Sequence, residues 1–476
     1  MSKKKADEIR SLVLDVMLEA EKTGQYESDL VKAVLKKYDY LEARDKAFLK
    51  RLAEGCTERR ISLDYLLDRY LAARPMAKQK PLIRAALRMG AYQILYMDSV
   101  PAHSACNETV KLLEDRNFGQ LKGFVNGVLR HLAKDFEEGT LPLPAKEEIP
   151  VDLPEGRSYT AEELRKLSVL TSLPVIVLSE LQKDYGPVKC RSLAFEQLGS
   201  RPVHVRVAVP REGADEQKEP RQITEDLKSK WTAAGLSFHP HEAVENCYVF
   251  TELDGVERLP GFSEGLCSVQ NASSMLVGLA ADIHEDDLVM DVCAAPGGKS
   301  MHAASFGAKV LAFDQSEDKV TRMEENFHRM GLEDQISAAV ADATVTDETR
   351  IGKADVLLMD VPCSGFGIFG RKNDIKYHVT PEGLSSLEEL QKRIVTTCIP
   401  YCRSGGTIIY STCTMRKAEN ENMVEWMLQN FPLEPVSLND VLPKSLQNEE
   451  SAKGMCQIFP DEGEYDGFFL AKFRMK

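Results

Sequence analysis

Leu288-Val289-Met290-Asp291-Val292-Cys293-Ala294-Ala295-Pro296-Gly297-Gly298-Lys299-Ser300 is the stretch that decides how the second half of this 476-residue chain folds. An apolar run enters a small-residue turn at Gly297-Gly298, and a helix start follows. A Gly-Gly turn between strand and helix lets backbone N–H groups approach a ligand closely at the helix N-terminus. The stretch lacks both G-x-G-x-x-G and G-x-x-x-x-G-K-[ST], so a dinucleotide or P-loop site matches it poorly. Working outward, the strand–helix alternation repeats. Candidate strands are Leu288–Val292, Val310–Phe313, Ile336–Val340, Val356–Met359 and Thr407–Tyr410. Apolar strands spaced by helices imply a parallel, doubly wound sheet whose ligand sits beyond the carboxyl ends of its strands.

Each strand is followed by residues suited to such a ligand. Asp314 follows the second strand, where a carboxylate can hold two ribose hydroxyls. Ser316 then suits the cap of a helix ending at Gly331. Asp342 follows the third strand, in reach of an adenine edge if a nucleoside lies across the strand tips. A single loop Asp is commonly a cap or turn residue, but three acids in register at successive strand ends, Asp291, Asp314 and Asp342, are a stronger signal. The fourth and fifth strands are followed by Asp360-Val361-Pro362-Cys363-Ser364-Gly365 and by Tyr410-Ser411-Thr412-Cys413-Thr414. Cysteine is ordinarily a small buried hydrophobe. That reading suits Cys56, Cys106, Cys190, Cys247, Cys267, Cys398, Cys402 and Cys456, with Cys398 and Cys402 one helical turn apart on a shared core face. Cys293 reads as packing. Cys363 and Cys413 differ, because both lie at strand ends that face the expected crevice.

Upstream, residues 1–140 read as all-helical: Ile9, Leu12, Val13, Val16 and Met17 recur at helical spacing, as do Phe48, Leu49, Leu52 and Cys56. Ser62 suits a helix cap and Pro101 a first-turn position. Residues 139–157 hold Pro142, Pro144, Pro150 and Pro154 among acids, the composition of a linker. Helical patterns over 160–185 and a strand at 202–207 follow, and 211–221 read as an exposed loop. The net charge is -14, from 60 Lys+Arg against 74 Asp+Glu, which argues against a protein that coats nucleic acid non-specifically. The first 140 residues nevertheless carry +4 and the remainder -18. No apolar run approaches the ~18 residues of a membrane span, and Val169–Leu178 is broken by Thr171, Ser172 and Pro174. Eleven scattered cysteines without C-x-x-C, and histidines without zinc spacing, suggest neither a secreted disulfide framework nor a structural metal. A reduced cytoplasm is the expected location.

The set D-x-C-A-A-P-G-G-K at 291–299, D-x-P-C-S-G at 360–365 and Y-S-T-C at 410–413, with Glu419-Asn420-Glu421 behind it, resembles the RNA 5-methylcytosine methyltransferases of the NOL/NOP2/Sun family. Arg44-Asp45 and Asn126-Gly127-Val128-Leu129-Arg130 in the helical third resemble the NusB-like RNA-binding domain. The resemblance implies a multidomain protein. An all-α NusB-like domain spans 1–140 and a linker 141–157. A small α/β middle segment, contacting RNA and the catalytic domain, spans 158–285, and a Rossmann-like α/β methyltransferase domain 286–476. It further implies S-adenosyl-L-methionine held by Cys293, Ala294, Ala295, Pro296, Gly297, Gly298 and Lys299, with Asp314 on the ribose, Asp342 near the adenine and Asp360 between donor and base. The family's T-C motif makes Cys413 the nucleophile and Cys363 the assistant in product release, with Asp360 and Lys299 acting beside them.

Carbon 5 of cytosine is too electron-poor to attack a methyl sulfonium unaided, and a thiolate adding at carbon 6 supplies the missing electron density. The base must leave a stack or be unpaired before a thiol can reach it. Arg206 is a candidate RNA or active-site contact, although a strand arginine is more often a solvated face residue. Three positions depart from the family pattern: Ala208 where Asn is common, Asn271 where Asp is common, and Phe366 where Thr is frequent. The domain composition points to 16S rRNA as substrate and the expected form is a monomer. Rival readings are a 5-methylcytosine enzyme acting on 23S rRNA or tRNA, a methyltransferase acting on an amine or hydroxyl, a non-catalytic NusB-like RNA-binding factor, and a thiol-redox enzyme. An amine methyltransferase usually carries N/D-P-P-Y after the fourth strand, and it leaves two strand-tip cysteines unexplained.

Overall fold

The computed structural model describes all residues except 1–2, 72–73, 200, 209–219, 252 and 254. The chain divides into two compact units, one formed by 1–199 and 369–379, the other by 200–368 and 380–476.

In the first unit the helical periodicity of the sequence is realised as amphipathic helices whose apolar faces share one core. Ile9, Val13, Leu49, Leu52, Leu66, Leu87, Leu113, Val125 and Leu129 are all buried in it. Pro101 precedes the helix Ala102–Asp115 as its cap. Ser62, expected to cap a helix, instead lies inside the helix Arg60–Asp68. Its hydroxyl donates 2.5 Å to the Val169 carbonyl, a tertiary bond that its polarity did not reveal. Residues 141–157 hold no regular element beyond the short turn Lys146–Glu148.

Residues 369–379 are far away in sequence yet belong to this unit, and they meet helix ends with complementary groups. Asp374 accepts a 2.8 Å bond from the Ser28 N–H in the first turn of the helix Glu27–Lys37. Lys376 and Tyr377 donate to the carbonyls of Glu58 and Thr57, at 3.0 and 2.8 Å, at the end of the helix Ala43–Glu58. Free N–H groups begin a helix and free C=O groups end it, so each end receives the partner it lacks.

The second unit contains two sheets. The smaller one, antiparallel in the order β2-β3-β1-β4, comprises β1 (Val203–Val207), β2 (Phe238–Pro240), β3 (Cys247–Phe250) and β4 (Cys267–Val269). Trp231, on the helix Pro220–Ala233, packs edge-on against Phe238, Tyr248 and Phe250. Within the expected loop at 211–221, residues 211–219 lie outside the described residues, and 220–221 begin that helix.

The larger sheet follows the expected plan. It comprises β5 (Leu288–Asp291), β6 (Lys309–Asp314), β7 (Ile336–Val340), β8 (Ala354–Asp360), β9 (Cys402–Thr412), β10 (Leu433–Pro435), β11 (Met455–Ile458) and β12 (Phe468–Met475). The order is β10-β12-β9-β8-β5-β6-β7, with β11 also paired to β12. Strands β5 to β9 pair in parallel, and β12 closes antiparallel on β9, Ala471 opposite Tyr410. The inner strands are apolar on both sides because both faces are covered: Val289, Met290, Leu357 and Leu358 are fully buried. Chain order reverses between β6 and β8 on either side of β5, which opens the crevice at the carboxyl ends of these strands. Cys398 ends the helix Pro381–Cys398 and Cys402 begins β9, so the two cysteines do not share a helical face as expected. Both are nevertheless buried in the same core, as a shared core position requires.

Candidate active site

The strand β5 ends in Asp291, which is fully buried and accepts a 2.7 Å bond from the Ser300 hydroxyl across the turn. Burial pushes its carboxyl up to about 6, against the pull of that hydrogen bond. The turn itself needs glycine. Gly297 has φ +98°, and a Cβ there would meet the Phe327 ring at 2.6 Å. The helix Gly298–Ala304 starts immediately after it, so its first N–H groups face the crevice. Cys293 is half-buried, and burial pushes its thiol well up, which suits packing.

Asp314, at the tip of β6, is buried, and its carboxylate accepts hydrogen bonds from three donors, fewer than the roughly four it can take. It accepts from the Ala295 N–H at 3.2 Å, the Gln315 N–H at 2.8 Å and the Lys319 ammonium at 2.9 Å. This side chain ties the second strand tip to the Gly turn. Ser316 caps the helix Glu317–Arg329 as expected. Asp342 is exposed after β7 and accepts from the Thr344 N–H and hydroxyl at 2.8 and 2.7 Å, bonds that hold its carboxyl below the usual range.

Strands β8 and β9 are neighbours, Asp360 opposite Ser411, and this pairing brings together residues 50 apart in sequence. Cys363 Sγ and Cys413 Sγ stand 3.2 Å apart. The hydrogen bond with Cys413 is the first cause that pushes the Cys363 thiol well up, burial the second, and the Glu419 charge adds to both. Asp360 bridges the two halves of the crevice: one carboxylate oxygen accepts from Lys299 Nζ at 2.7 Å, the other from the Ser411 hydroxyl at 2.8 Å. Lys299, mostly buried, also lies 5.5 Å above the Phe468 ring.

The model of a family described as 16S rRNA methyltransferase RsmB/F matches residues 279–474, and that of the NusB family matches residues 7–134. A protein of Bacillus subtilis described as probable ribosomal RNA small subunit methyltransferase B is 31% identical, over 99% of this chain and 100% of its own length. The chain belongs to the ribosomal RNA small subunit methyltransferase B family. Among solved structures, one described as PH0851 superposes with a TM-score of 0.76 at 19% identity, covering 98% of each chain. NSun6 from Pyrococcus horikoshii, solved with SFG, has a TM-score of 0.54 at 18% identity over 64% of this chain and 99% of its own. At these identities the two structures speak to the fold alone.

Seen as a member of this methyltransferase family, the chain brings its expected donor-loop residues, Asp314, Asp360, Lys299 and both cysteines to one end of the sheet. Arg206 is different. It is 4% exposed, and its Nε donates 2.9 Å to Gln270, whose side chain in turn approaches Gly298. A guanidinium in the interior is badly placed for an RNA phosphate at the surface, and the alternation of β1 hid this because both faces of that strand are covered. Asn271, which departs from the family's usual Asp, caps the helix Ala272–Ala280 and donates 2.7 Å to Asp466. A carboxylate at 271 has no proton for that bond at neutral pH. Ala208, half-buried, donates its N–H to the Leu266 carbonyl, and Phe366 is fully buried. Glu419, Ser364 and Ser411 were not singled out by spacing. Only the folded chain shows that they join the two cysteine loops.

Proposed function

We propose that this chain transfers a methyl group from S-adenosyl-L-methionine to carbon 5 of a cytosine in 16S rRNA through a covalent cysteine–cytosine adduct. The observation that carries the reading is the pair of thiols 3.2 Å apart at adjacent strand tips, beside the Lys299–Asp360 pair. No amine or hydroxyl methylation needs such a pair. The family membership supports rRNA as the substrate class, and the similar fold solved with SFG, a S-adenosylmethionine analogue, supports the donor. The turn at 293–299 and Asp314 support the donor: the glycines leave room for close backbone approach, and Asp314 is an acid at the tip of the next strand, where a carboxylate can accept from ribose hydroxyls.

When bound, the donor supplies an electrophilic methyl group on sulfur. The chain's own residues do the rest. The Cys413 thiolate forms a bond to carbon 6 of the base, which makes carbon 5 nucleophilic toward that methyl. Asp360, oriented by Lys299 and Ser411, meets the ring nitrogen where charge develops. After carbon 5 loses its proton to a base, the bond between Cys413 and carbon 6 breaks, with Cys363 assisting this release. Asp342 stands near the adenine end.

The test is donor binding followed by product mapping. Wild type is expected to bind S-adenosylmethionine, and Asp314→Ala to bind it at least tenfold more weakly, about 1.4 kcal/mol for hydrogen bonds lost to a charged group. Bisulfite sequencing of rRNA from a deletion strain and its complement is expected to differ at one 16S cytosine. An unchanged 16S pattern overturns the substrate, and absent donor binding overturns the reaction.

A further inference from the structure

Glu419 is a carboxylate with no exposed surface at all. Removing such a charge from water is costly unless hydrogen bonds replace the lost solvent. Four donors do so: the Ser364 N–H at 2.9 Å, the Ser364 hydroxyl at 2.5 Å, Gln391 Nε2 at 2.9 Å and the Arg416 guanidinium at 3.0 Å. Their positions in the chain show what this charge is for. Ser364 directly follows Cys363. Gln391 also donates 2.9 Å to the carbonyl of Pro362, the residue before Cys363. Cys363 is therefore held on both sides by groups that converge on Glu419.

The second thiol is tied to the same turn. Thr414 directly follows Cys413, and its hydroxyl lies 2.8 Å from that of Ser364. Asn420, next to Glu419, accepts from the Thr412 hydroxyl at 2.6 Å and donates to the Thr414 carbonyl at 3.0 Å, so Cys413 is bracketed as well. Tyr410, fully buried on β9, donates 2.7 Å to the Glu419 carbonyl and anchors the turn to the strand. None of these bonds comes from a donor-site residue.

We propose that Glu419 is a positioning residue of the methyltransferase reaction, a buried carboxylate that sets the Cys363 thiol against Cys413 and thereby controls release of the methylated RNA. The release half rests on the reading of the two cysteines given above; the positioning half is geometric. Glu419→Gln keeps the volume but turns one acceptor oxygen into an NH2 group that faces donors. The hold on Ser364 is then lost first, and Cys363 leaves its place beside Cys413. Formation of the adduct at Cys413 is affected less than its breakdown.

Two measurements on the full chain test this. Diamide takes one hydrogen from each of two thiols, forming a disulfide and being reduced to a hydrazine. Mass spectrometry of the peptide joining residues 363 and 413 reports the rate. Wild type is expected to form this disulfide, and Glu419→Gln to form it at least about tenfold more slowly. The unfolding midpoint is expected to fall, because buried hydrogen bonds are lost, while the variant stays folded at the assay temperature with Cys398 protected from alkylation as in wild type. Equal disulfide rates in a folded variant overturn the proposal. In turnover with rRNA, Glu419→Gln is expected to lower kcat about tenfold with KM for both substrates within about threefold. It is also expected to accumulate SDS-resistant protein–RNA adduct, as Cys363→Ser does, and Glu419→Asp to recover part of the loss. If Cys363→Ser accumulates adduct and Glu419→Gln does not, the control of release is wrong. If Cys363→Ser forms none, the assignment of the cysteines falls, and the disulfide rate alone judges the positioning.

Discussion

Glu27 starts the helix Glu27–Lys37 and lines a cavity of 240 Å³ in the helical unit together with Thr57, Arg60, Arg88, Asp374 and Tyr377. Burial is the main cause that pushes its carboxyl from 4.5 up to about 7; the Thr57 hydroxyl pulls it partly back, and the Asp374 charge adds to the rise. At pH 8 the group is ionised in both folded and unfolded chains, and the fold bears a penalty of about 3 kcal/mol. As pH falls through 7 the folded chain takes up the proton first, and below about 4.5 the penalty has vanished. Glutamine has the same shape and does not titrate. Glu27→Gln is therefore expected to stabilise the helical unit over wild type by about 3 kcal/mol more at pH 8 than at pH 4.5.

Lys376, pushed down to about 7 by burial, produces a pH dependence of its own, penalising the fold most below pH 7 and releasing it as pH rises toward 10.5. Both proteins carry it, so it cancels in the difference. Urea unfolding followed by circular dichroism at 222 nm reports mainly the helical unit. Fluorescence reports the other unit, since both tryptophans, Trp231 and Trp426, belong to it. A difference between variant and wild type that is the same at both pH values, or a shift confined to the fluorescence transition, refutes the assignment of a strained, buried Glu27.

Asn271→Asp places a second carboxylate against Asp466 where a 2.7 Å bond now stands. It is expected to cost about 1–3 kcal/mol, read as a lower fluorescence unfolding midpoint, and adding Asp466→Asn is expected to recover most of the loss. Gly297→Ala sets a methyl group 2.6 Å from the Phe327 ring at φ +98°. Calorimetry is expected to show donor affinity reduced at least about tenfold, whereas affinity equal to wild type refutes the close-approach argument.

The end of the site proposed to hold the donor was legible in the sequence because its parts are local. An apolar strand, a Gly-Gly turn and an acid after the next strand announce themselves within a few residues, and Leu288–Asp291, Lys309–Asp314 and Ile336–Val340 form with the expected boundaries to within a residue or so. The resemblance, rather than spacing, ordered the roles of Cys363 and Cys413. Their 3.2 Å separation follows from the pairing of β8 with β9, a non-local fact. What stayed hidden was tertiary. The hydroxyl of Ser62 finds a carbonyl more than a hundred residues away. Arg206 turns inward because both faces of its strand are covered. Residues 369–379 leave the sheet unit to complete helix ends in the other. Polar residues satisfied by distant partners carry no periodic signal. Bulk charge misled as well, since a net -14 says little about a crevice that holds two cysteines and a Lys–Asp pair.

The most direct test of the central claim is covalent capture of the base. Each cysteine variant is incubated with 16S rRNA and S-adenosylmethionine, and SDS-resistant adduct is measured beside 5-methylcytosine. Cys413→Ser is predicted to give neither methylation nor adduct, and Cys363→Ser to accumulate adduct with little released product. Adduct formed by Cys413→Ser, or normal turnover by both variants, contradicts the account.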